Sequence, residues 1–168
     1  FLIIEKYLYK NADKIVNLDP FFDYMVNLGI NREKMIFLSN GVDLEEFDKK
    51  QNLEIDLDKN KFNITYTGAI GIANNLEPII DLAKLVSDEN IMFNIVGYGP
   101  LKESFVERVE NEKIKNIKFY DPIEKDKVPE VLRQSDVLIL SVLPIEIYQY
   151  GASFNKLFAS TSFASTLG

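Results

Sequence analysis

Between residues 62 and 140 the sequence alternates short apolar runs with segments of helical periodicity, and no other feature restricts the fold as strongly. Residues 62–66, 91–96, 117–120 and 137–140 read as strands. Residues 76–86, a segment opening at Leu101, and residues 128–134 read as helices, the first turning Ile79, Ile80, Ala83 and Leu85 inward. Strands that are mostly apolar along their length belong in a parallel sheet covered on both faces. Right-handed crossovers then give an α/β, Rossmann-like doubly wound parallel sheet.

The preceding stretch is less regular. Residues 3–12 set Ile4, Tyr7, Leu8 and Ala12 on one helical face, predicting an amphipathic helix packed through it. Residues 14–18 and 35–38 read as short strands, the first ending at Asp19-Pro20 and the second at Asn40-Gly41. Between them lies a helix over residues 21–28 with Gly29 as its cap. Residues 43–61 are dense in charge and poor in apolar periodicity, the pattern of a linker and domain boundary. At the far end Phe158-Ala159-Ser160-Thr161 is repeated, after Ser162, as Phe163-Ala164-Ser165-Thr166; such a repeat reads as an unstructured end from truncation or a frame shift, in preference to a flexible recognition tail.

Composition excludes several chemistries. The 168-residue chain has 19 basic and 26 acidic side chains, a formal net charge of -7, which argues against a nucleic-acid binder. Neither Cys nor His is present, so disulfides, thiolate or imidazole metal sites, cysteine nucleophiles and Ser-His-Asp triads are excluded within it. The absence of Cys fits a reducing cytosol, and no apolar run reaches the length of a membrane span. The start, Phe1-Leu2-Ile3-Ile4-Glu5, has neither an initiator Met nor a basic leader and reads as the middle of a longer polypeptide.

Ligands of open parallel sheets bind beyond the carboxyl ends of the strands, which directs attention to the loops after Tyr66, Val96, Tyr120 and Leu140. In Thr67-Gly68-Ala69-Ile70-Gly71 the glycines either serve a tight turn or let amides approach an anion at the positive end of the next helix. The spacing is neither a dinucleotide fingerprint nor a P-loop. Gly97-Tyr98-Gly99-Pro100 marks a sharp strand-to-helix turn, with Pro100 in the first helical turn. Tyr98 either caps the sheet edge or flanks a ligand. Lys156 follows the last strand beside small residues; it is a solvated surface lysine or a point charge for a diphosphate leaving group. Asp43, Glu45 and Glu46 sit in the charged linker, and Asp136 reads as a turn or cap residue. No acid/base pair or metal-ligating carboxylate cluster emerges.

In order, these elements resemble the family 4 retaining glycosyltransferases of GT-B fold. Asn40-Gly41-Val42-Asp43 with Phe47 is similar to the element joining that family's two domains. Tyr66-Thr67-Gly68 with Gly71 and Leu76 is similar to the opening of its donor domain. Val96-Gly97-Tyr98-Gly99-Pro100-Leu101, then Val128-Pro129-Glu130-Val131-Leu132 and Ser135-Asp136-Val137, continue the match. The segment from Tyr150 through Asn155-Lys156-Leu157-Phe158 resembles the surface-polysaccharide biosynthesis subgroup.

The resemblance implies a fragment comprising the end of an N-terminal acceptor domain (1–39), an interdomain linker (40–61), an incomplete nucleotide-sugar-binding domain (62–158) and a low-complexity tail (159–168). Its parent would transfer a sugar, with retention and without a metal or other cofactor, from a nucleoside diphosphate sugar to a glycan or lipid-linked acceptor. Gly68 and Gly71 would face the diphosphate, Tyr98 would flank the donor, and Pro122 and Ile123 would lie against the base. Ser153, Asn155 and Lys156 would meet the phosphates and sugar, with Lys156 as the catalytic residue through electrostatics. The family's basic residues are replaced by Ala69 and Asn74, and its acidic pair by Gly151 and Ala159, so the ribose carboxylate is missing and the fragment alone is expected to be inactive. Acceptor contacts would come from the missing domain. The parent is expected in the cytoplasm, with room for peripheral association at the inner face of the membrane. Two other readings are a nucleotide-sugar-binding module that needs a partner chain and a GT-B nucleotide-sugar epimerase; the second lacks its carboxylates and histidine here.

Overall fold

The structure, a computed structural model, describes residues 2–18, 22–38, 41, 49, 55–86 and 90–146. Of these, the residues up to 41 together with 144–146 make one compact unit, and those from 49 to 143 make another.

The first unit contains α1 (Leu2–Asn11), β1 (Ile15–Asn17), α2 (Phe22–Asn27), a 3₁₀ turn (Arg32–Lys34) and β2 (Met35–Phe37). The two strands are parallel, with Ile15 opposite Met35. Ile15, Met25 and Ile30 form a small core against which Tyr9, Ala12, Tyr24, Leu28 and Met35 pack. Gly29 ends α2 at φ +81°, its N–H donating to Val26 O at 2.8 Å while Ile30 N–H reaches Met25 O at 3.1 Å. These two bonds satisfy carbonyls that the helix end would leave unpaired, and the left-handed residue they require is cheapest as glycine.

The expected packed face of α1 is not the one buried. Ile4, Tyr7 and Leu8 are 65%, 66% and 59% exposed, whereas Tyr9 and Ala12 pack inward. Apolar residues at 2, 3, 4, 7, 8 and 9 encircle too much of the helix for periodicity to choose a side. Polar anchors make the choice: Tyr24 Oη donates to Glu5 Oε2, and Lys34 Nζ donates to the Lys10 and Ala12 carbonyls.

The second unit runs β3 (Phe62–Thr67), a 3₁₀ turn (Ile72–Asn74), α3 (Glu77–Leu85), β4 (Ile91–Val96), α4 (Lys102–Asn111) and β5 (Ile117–Tyr120). A further 3₁₀ turn (Lys125–Lys127), α5 (Val128–Arg133) and β6 (Val137–Leu138) complete it. The sheet order is β5-β4-β3-β6 and every pair is parallel. The chain therefore steps outward from β3 through β4 to β5 and then returns to the far side of β3. This is the doubly wound α/β arrangement expected from the alternation.

One sheet face carries Ile64, Tyr66, Phe93, Ile95, Ile117 and Phe119, packed with Ile79, Ile80 and Ala83 of α3 and Phe105 and Val109 of α4. Each large side chain fully buried there contributes about 1.5–3 kcal/mol before entropy is counted. Leu85, expected inward, is 82% exposed; the buried set is Leu76, Ile79, Ile80 and Ala83, and nine residues beyond Leu76 a helix has turned to its opposite face. The other sheet face departs from the expected apolar strands. Asn63, Thr65 and Asn94 are buried on it. They are satisfied by one another and by neighbours: Asn94 Nδ2 donates to Asn63 Oδ1 (3.0 Å), Tyr120 Oη to Asn94 Oδ1 (3.3 Å), and Ser135 Oγ to Thr65 Oγ1 (2.6 Å). Buried polar groups persist only when bonded in this way.

Within the charged stretch 43–61, Leu57 is buried and donates its N–H to Gln134 Oε1 at 2.9 Å. Strand β6 is shorter than expected, and Val137 is 42% exposed. Among the described residues no helix is long and apolar enough to cross a membrane.

Candidate functional site

Because all four strands of the second unit are parallel, the loops after β3, β4, β5 and β6 leave the same end of the sheet. Two of them interlock. Gly68 N–H donates to Val96 O (2.9 Å), Ile70 N–H to Tyr98 O (2.7 Å), and Leu101 N–H to Ile70 O (3.2 Å), which carries the ladder between β3 and β4 past their ends. The approach is too close for side chains on the second loop. A Cβ on Gly97 would lie 1.8 Å from Gly68 O, and one on Gly99 would lie 2.2 Å from Ile70 O. These glycines are therefore required by backbone packing.

Gly71 is different. A Cβ there would meet none of the described residues within 4 Å, and its φ of -138° is open to any residue. Ile70 O is held by Leu101 N–H, which turns the Gly71 N–H the other way across the same peptide plane. The N–H groups of Gly71, Ile72 and Ala73 find no acceptor among the described residues, as the first donors of a helical turn do not. Below this loop Tyr66 is fully buried and donates its hydroxyl to Ala69 O at 2.7 Å; burial pushes that hydroxyl up to about 12. The glycine loop and the helix are separated, as the expected helix start at Leu76 requires. The 3₁₀ turn intervenes, and α3 begins at Glu77 after Asn75 adopts the left-handed conformation (φ 43°, ψ 58°).

The loop after β6 crosses to meet this turn. Ser141 Oγ donates to Asn75 O at 2.6 Å and Leu143 N–H to Ala73 O at 3.3 Å. Since β6 and β4 flank β3 on opposite sides, these bonds span the point where strand order reverses. On the other side, Lys102 Nζ donates to Tyr120 O (2.9 Å) and Asp121 Oδ1 (2.8 Å), tying the start of α4 to the loop after β5. The hydrogen bond to Lys102, and then its charge, hold the Asp121 carboxyl below its ordinary range.

Of the residues singled out in the sequence, Gly68, Gly71 and Tyr98 come together in the interlocked loops. Tyr98 does not cap a sheet edge: β4 is an interior strand, and the Tyr98 side chain is 68% exposed at its carboxyl end. Pro122 and Ile123 follow β5, Pro122 exposed and Ile123 half-buried. Pro100 precedes α4, whose N-cap is Leu101. Asp136 pairs with β3, its carboxylate accepting Asn63 N–H at 2.7 Å and its own N–H donating to Asn63 O at 2.9 Å, so it serves as a turn residue. Ser153, Asn155 and Lys156, and likewise Asp43, Glu45 and Glu46, lie outside the described residues. Among the described residues no group of three or more His, Cys, Asp or Glu could hold a metal ion.

Sequence reading passed over Asn75, Ser141, Tyr66 and Lys102. For Asn75 a signal existed, since an Asn-Asn pair before a helix suits a left-handed turn. Ser141, the first polar residue after the last apolar run, lies in a loop that topology marks as ligand-facing.

A family model described as "Glycosyl transferases group 1" matches residues 46–150. WcaI of Escherichia coli (strain K12), whose name provisionally assigns it as a colanic acid biosynthesis glycosyl transferase, is 28% identical over 134 residues, 75% of this chain. The chain spans only 33% of that relative's length. Among solved structures, Anabaena HepE in complex with UDP and glucose superposes with a TM-score of 0.69 at 12% identity, covering 96% of this chain and 45% of HepE. A glycosyltransferase from Rickettsia africae gives 0.64 at 16% identity, covering 82% and 41%. These likenesses agree with the parallel sheet and flanking helices of a Rossmann-like, GT-B-type fold.

Proposed function

The chain belongs to the group 1 glycosyl transferases, and from that membership we propose that it supplies the donor-binding part of an enzyme moving a sugar from a nucleoside diphosphate to a glycan or lipid-linked acceptor. The observation that carries this reading is the loop after β3. At the strand-order reversal it offers three successive N–H groups without acceptors among the described residues, beside a glycine whose added Cβ would meet none of the described residues within 4 Å. Oriented amides of this kind suit a diphosphate. They would stabilise the charge that develops as the nucleotide leaves.

In this reading the loop around Gly68 and Gly71 faces the diphosphate, through the Gly71 amide and those after it while the Gly68 N–H stays on Val96 O; Tyr98 flanks the donor, and Pro122 and Ile123 shelve the base. Ser153, Asn155 and Lys156, from the resemblance, complete the phosphate and sugar contacts, with Lys156 supplying the positive charge. The assignment to the retaining family 4 enzymes of surface-polysaccharide assembly rests on the same motifs and on the likeness to WcaI. So do the boundaries at residues 39, 61 and 158 and the acceptor side contributed by a further domain; the enzyme is placed in the cytoplasm, with room for peripheral association at the inner face of the membrane. The chain by itself is expected to bind donor without turning it over.

Titration calorimetry with uridine, guanosine and adenosine diphosphates tests the donor site. Uridine diphosphate heads the panel because a similar fold holds UDP in HepE. Saturable binding of one of them, weakened in Lys156→Ala, is the expected result. No heat from any of the three at millimolar concentration would remove the donor-site reading.

A further inference from the structure

Resting on that donor-site reading, we infer that Ser141 is a positioning residue for the diphosphate loop, acting through the carbonyl of Asn75 rather than on the donor itself. Asn75 holds a left-handed conformation, which Asn adopts more readily than other residues with a Cβ and which its contacts here support. The supporting contacts are identifiable. Asn75 N–H donates back to Ile72 O (3.1 Å), closing the 3₁₀ turn from inside, and Ser141 Oγ donates to Asn75 O (2.6 Å) from across the strand-order reversal. Leu143 N–H to Ala73 O, at 3.3 Å, is the longer companion of that bond.

The geometry gives the bond a specific consequence. The residue after Asn75 is Leu76, 1% exposed in the helical core, which anchors the C-terminal side of the turn by packing. The side before it, at Ile70, is clamped by Tyr98 O and Leu101 N–H. Between these two anchors the loop after β6 holds the turn at two carbonyls, Ser141 Oγ on Asn75 O and Leu143 N–H on Ala73 O, and so helps fix the direction of the Gly71, Ile72 and Ala73 amides. The Ser141 hydroxyl hydrogen is committed to the Asn75 carbonyl, so it orders the amides without being one of the donor's own ligands. Neither Pro122 nor Ile123, the base shelf, is touched by this bond, so its loss should be felt by the diphosphate and not by the nucleoside.

The test uses the full chain and the tightest-binding nucleoside diphosphate of the panel, with inorganic pyrophosphate and the parent nucleoside as separate competitors. Ser141→Ala is expected to weaken nucleoside diphosphate and pyrophosphate binding by about fivefold, the worth of one ordinary hydrogen bond. Nucleoside competition should be unchanged. Ser141→Thr, which keeps the hydroxyl, should restore pyrophosphate affinity, and Asn75→Ala, which disfavours the left-handed turn, should reproduce the Ser141→Ala pattern. Equal pyrophosphate affinity in Ser141→Ala and the parent chain would overturn the inference while leaving the donor site standing. Equal weakening of pyrophosphate and nucleoside would also overturn it, as the mark of a general loss of structure. Failure of the unsubstituted chain to bind any nucleoside diphosphate would overturn the donor-site reading and this inference with it.

Discussion

Two glycines in neighbouring loops should respond oppositely to the same substitution. At Gly97, φ is +154°, and an added Cβ would sit 1.8 Å from Gly68 O and 2.9 Å from Gly68 C. Both atoms are backbone, and Gly68 N–H is itself bonded to Val96 O, so the clash cannot be relieved by turning a side chain. A disfavoured backbone conformation costs about 1–3 kcal/mol and forced displacement of packed neighbours about 1–3 more, so Gly97→Ala should cost about 2–6 kcal/mol. Against a domain stability of about 5–15 kcal/mol, and at about 4–8 °C for each kcal/mol in a unit of this size, the melting midpoint should fall by roughly 10 °C or more. At Gly71 the Cβ would meet open space at an ordinary φ, so Gly71→Ala should change stability by no more than about 0.5 kcal/mol. Its Cβ would instead stand beside the amides assigned to the donor diphosphate, and nucleoside diphosphate affinity should fall. Thermal melts followed by far-ultraviolet circular dichroism, with calorimetric titration of the folded variants, separate the two effects. A Gly97→Ala melt within about 2 °C of the parent would refute the backbone-clasp argument, since no side-chain rearrangement could absorb the contact.

Tyr66→Phe removes the hydroxyl bond to Ala69 O and should cost about 1 kcal/mol in urea unfolding, with weaker nucleoside diphosphate binding as the loop loosens. Burial raises the Tyr66 hydroxyl from its ordinary 10.0 to about 12, so the folded state disfavours the phenolate. Its contribution is complete below pH 10 and is lost between pH 10 and about 12; alkaline melts should show that loss in the parent and not in Tyr66→Phe. On the surface, Arg108 bridges Asp81 of α3 and Glu112 beyond α4, and Lys84 also binds Glu112. Hydrogen bonds from Arg108 and then Lys84 hold the Glu112 carboxyl below its ordinary 4.5. Stability from this cluster is therefore present above pH 4.5 and is lost as the pH falls through the lowered value. Acid melts of Glu112→Gln should lack that loss, and added salt should narrow the difference between variant and parent.

The doubly wound sheet was legible because its cause is local and repeated. Four short strands alternate with three helices of the right length, and chirality leaves few ways to connect them. What failed was the choice of face. In α1 apolar residues lie on several sides, and polar tethers from Tyr24 and Lys34 decide which side is buried. In α3 Leu85 is apolar yet stands half a turn away from the buried row begun by Leu76. The polar row on the second sheet face was equally invisible, because Asn63, Asn94 and Tyr120 belong to three strands. They satisfy one another only once the register sets Thr65 beside Asn94 and Asn94 beside Lys118.

The site divides along the same physical line. Gly68, Gly71, Gly97 and Gly99 announce themselves as glycines after strands, but sequence cannot say which glycine is needed by the protein and which leaves room for something else. That difference is a distance between two loops: under 2.5 Å from an added Cβ to backbone at Gly97 and Gly99, nothing within 4 Å at Gly71. A glycine required by packing explains itself, so Gly97 and Gly99 lend no support to ligand binding beyond shaping the loop. A glycine that packing does not require, next to amides without acceptors among the described residues, calls for another cause, and a bound anion supplies one. Of Gly71, Gly97 and Gly99, only Gly71 is left open by packing among the described residues, so the donor site rests on it and on Asn75 and Ser141, whose hydroxyl bond helps hold the Gly71 turn.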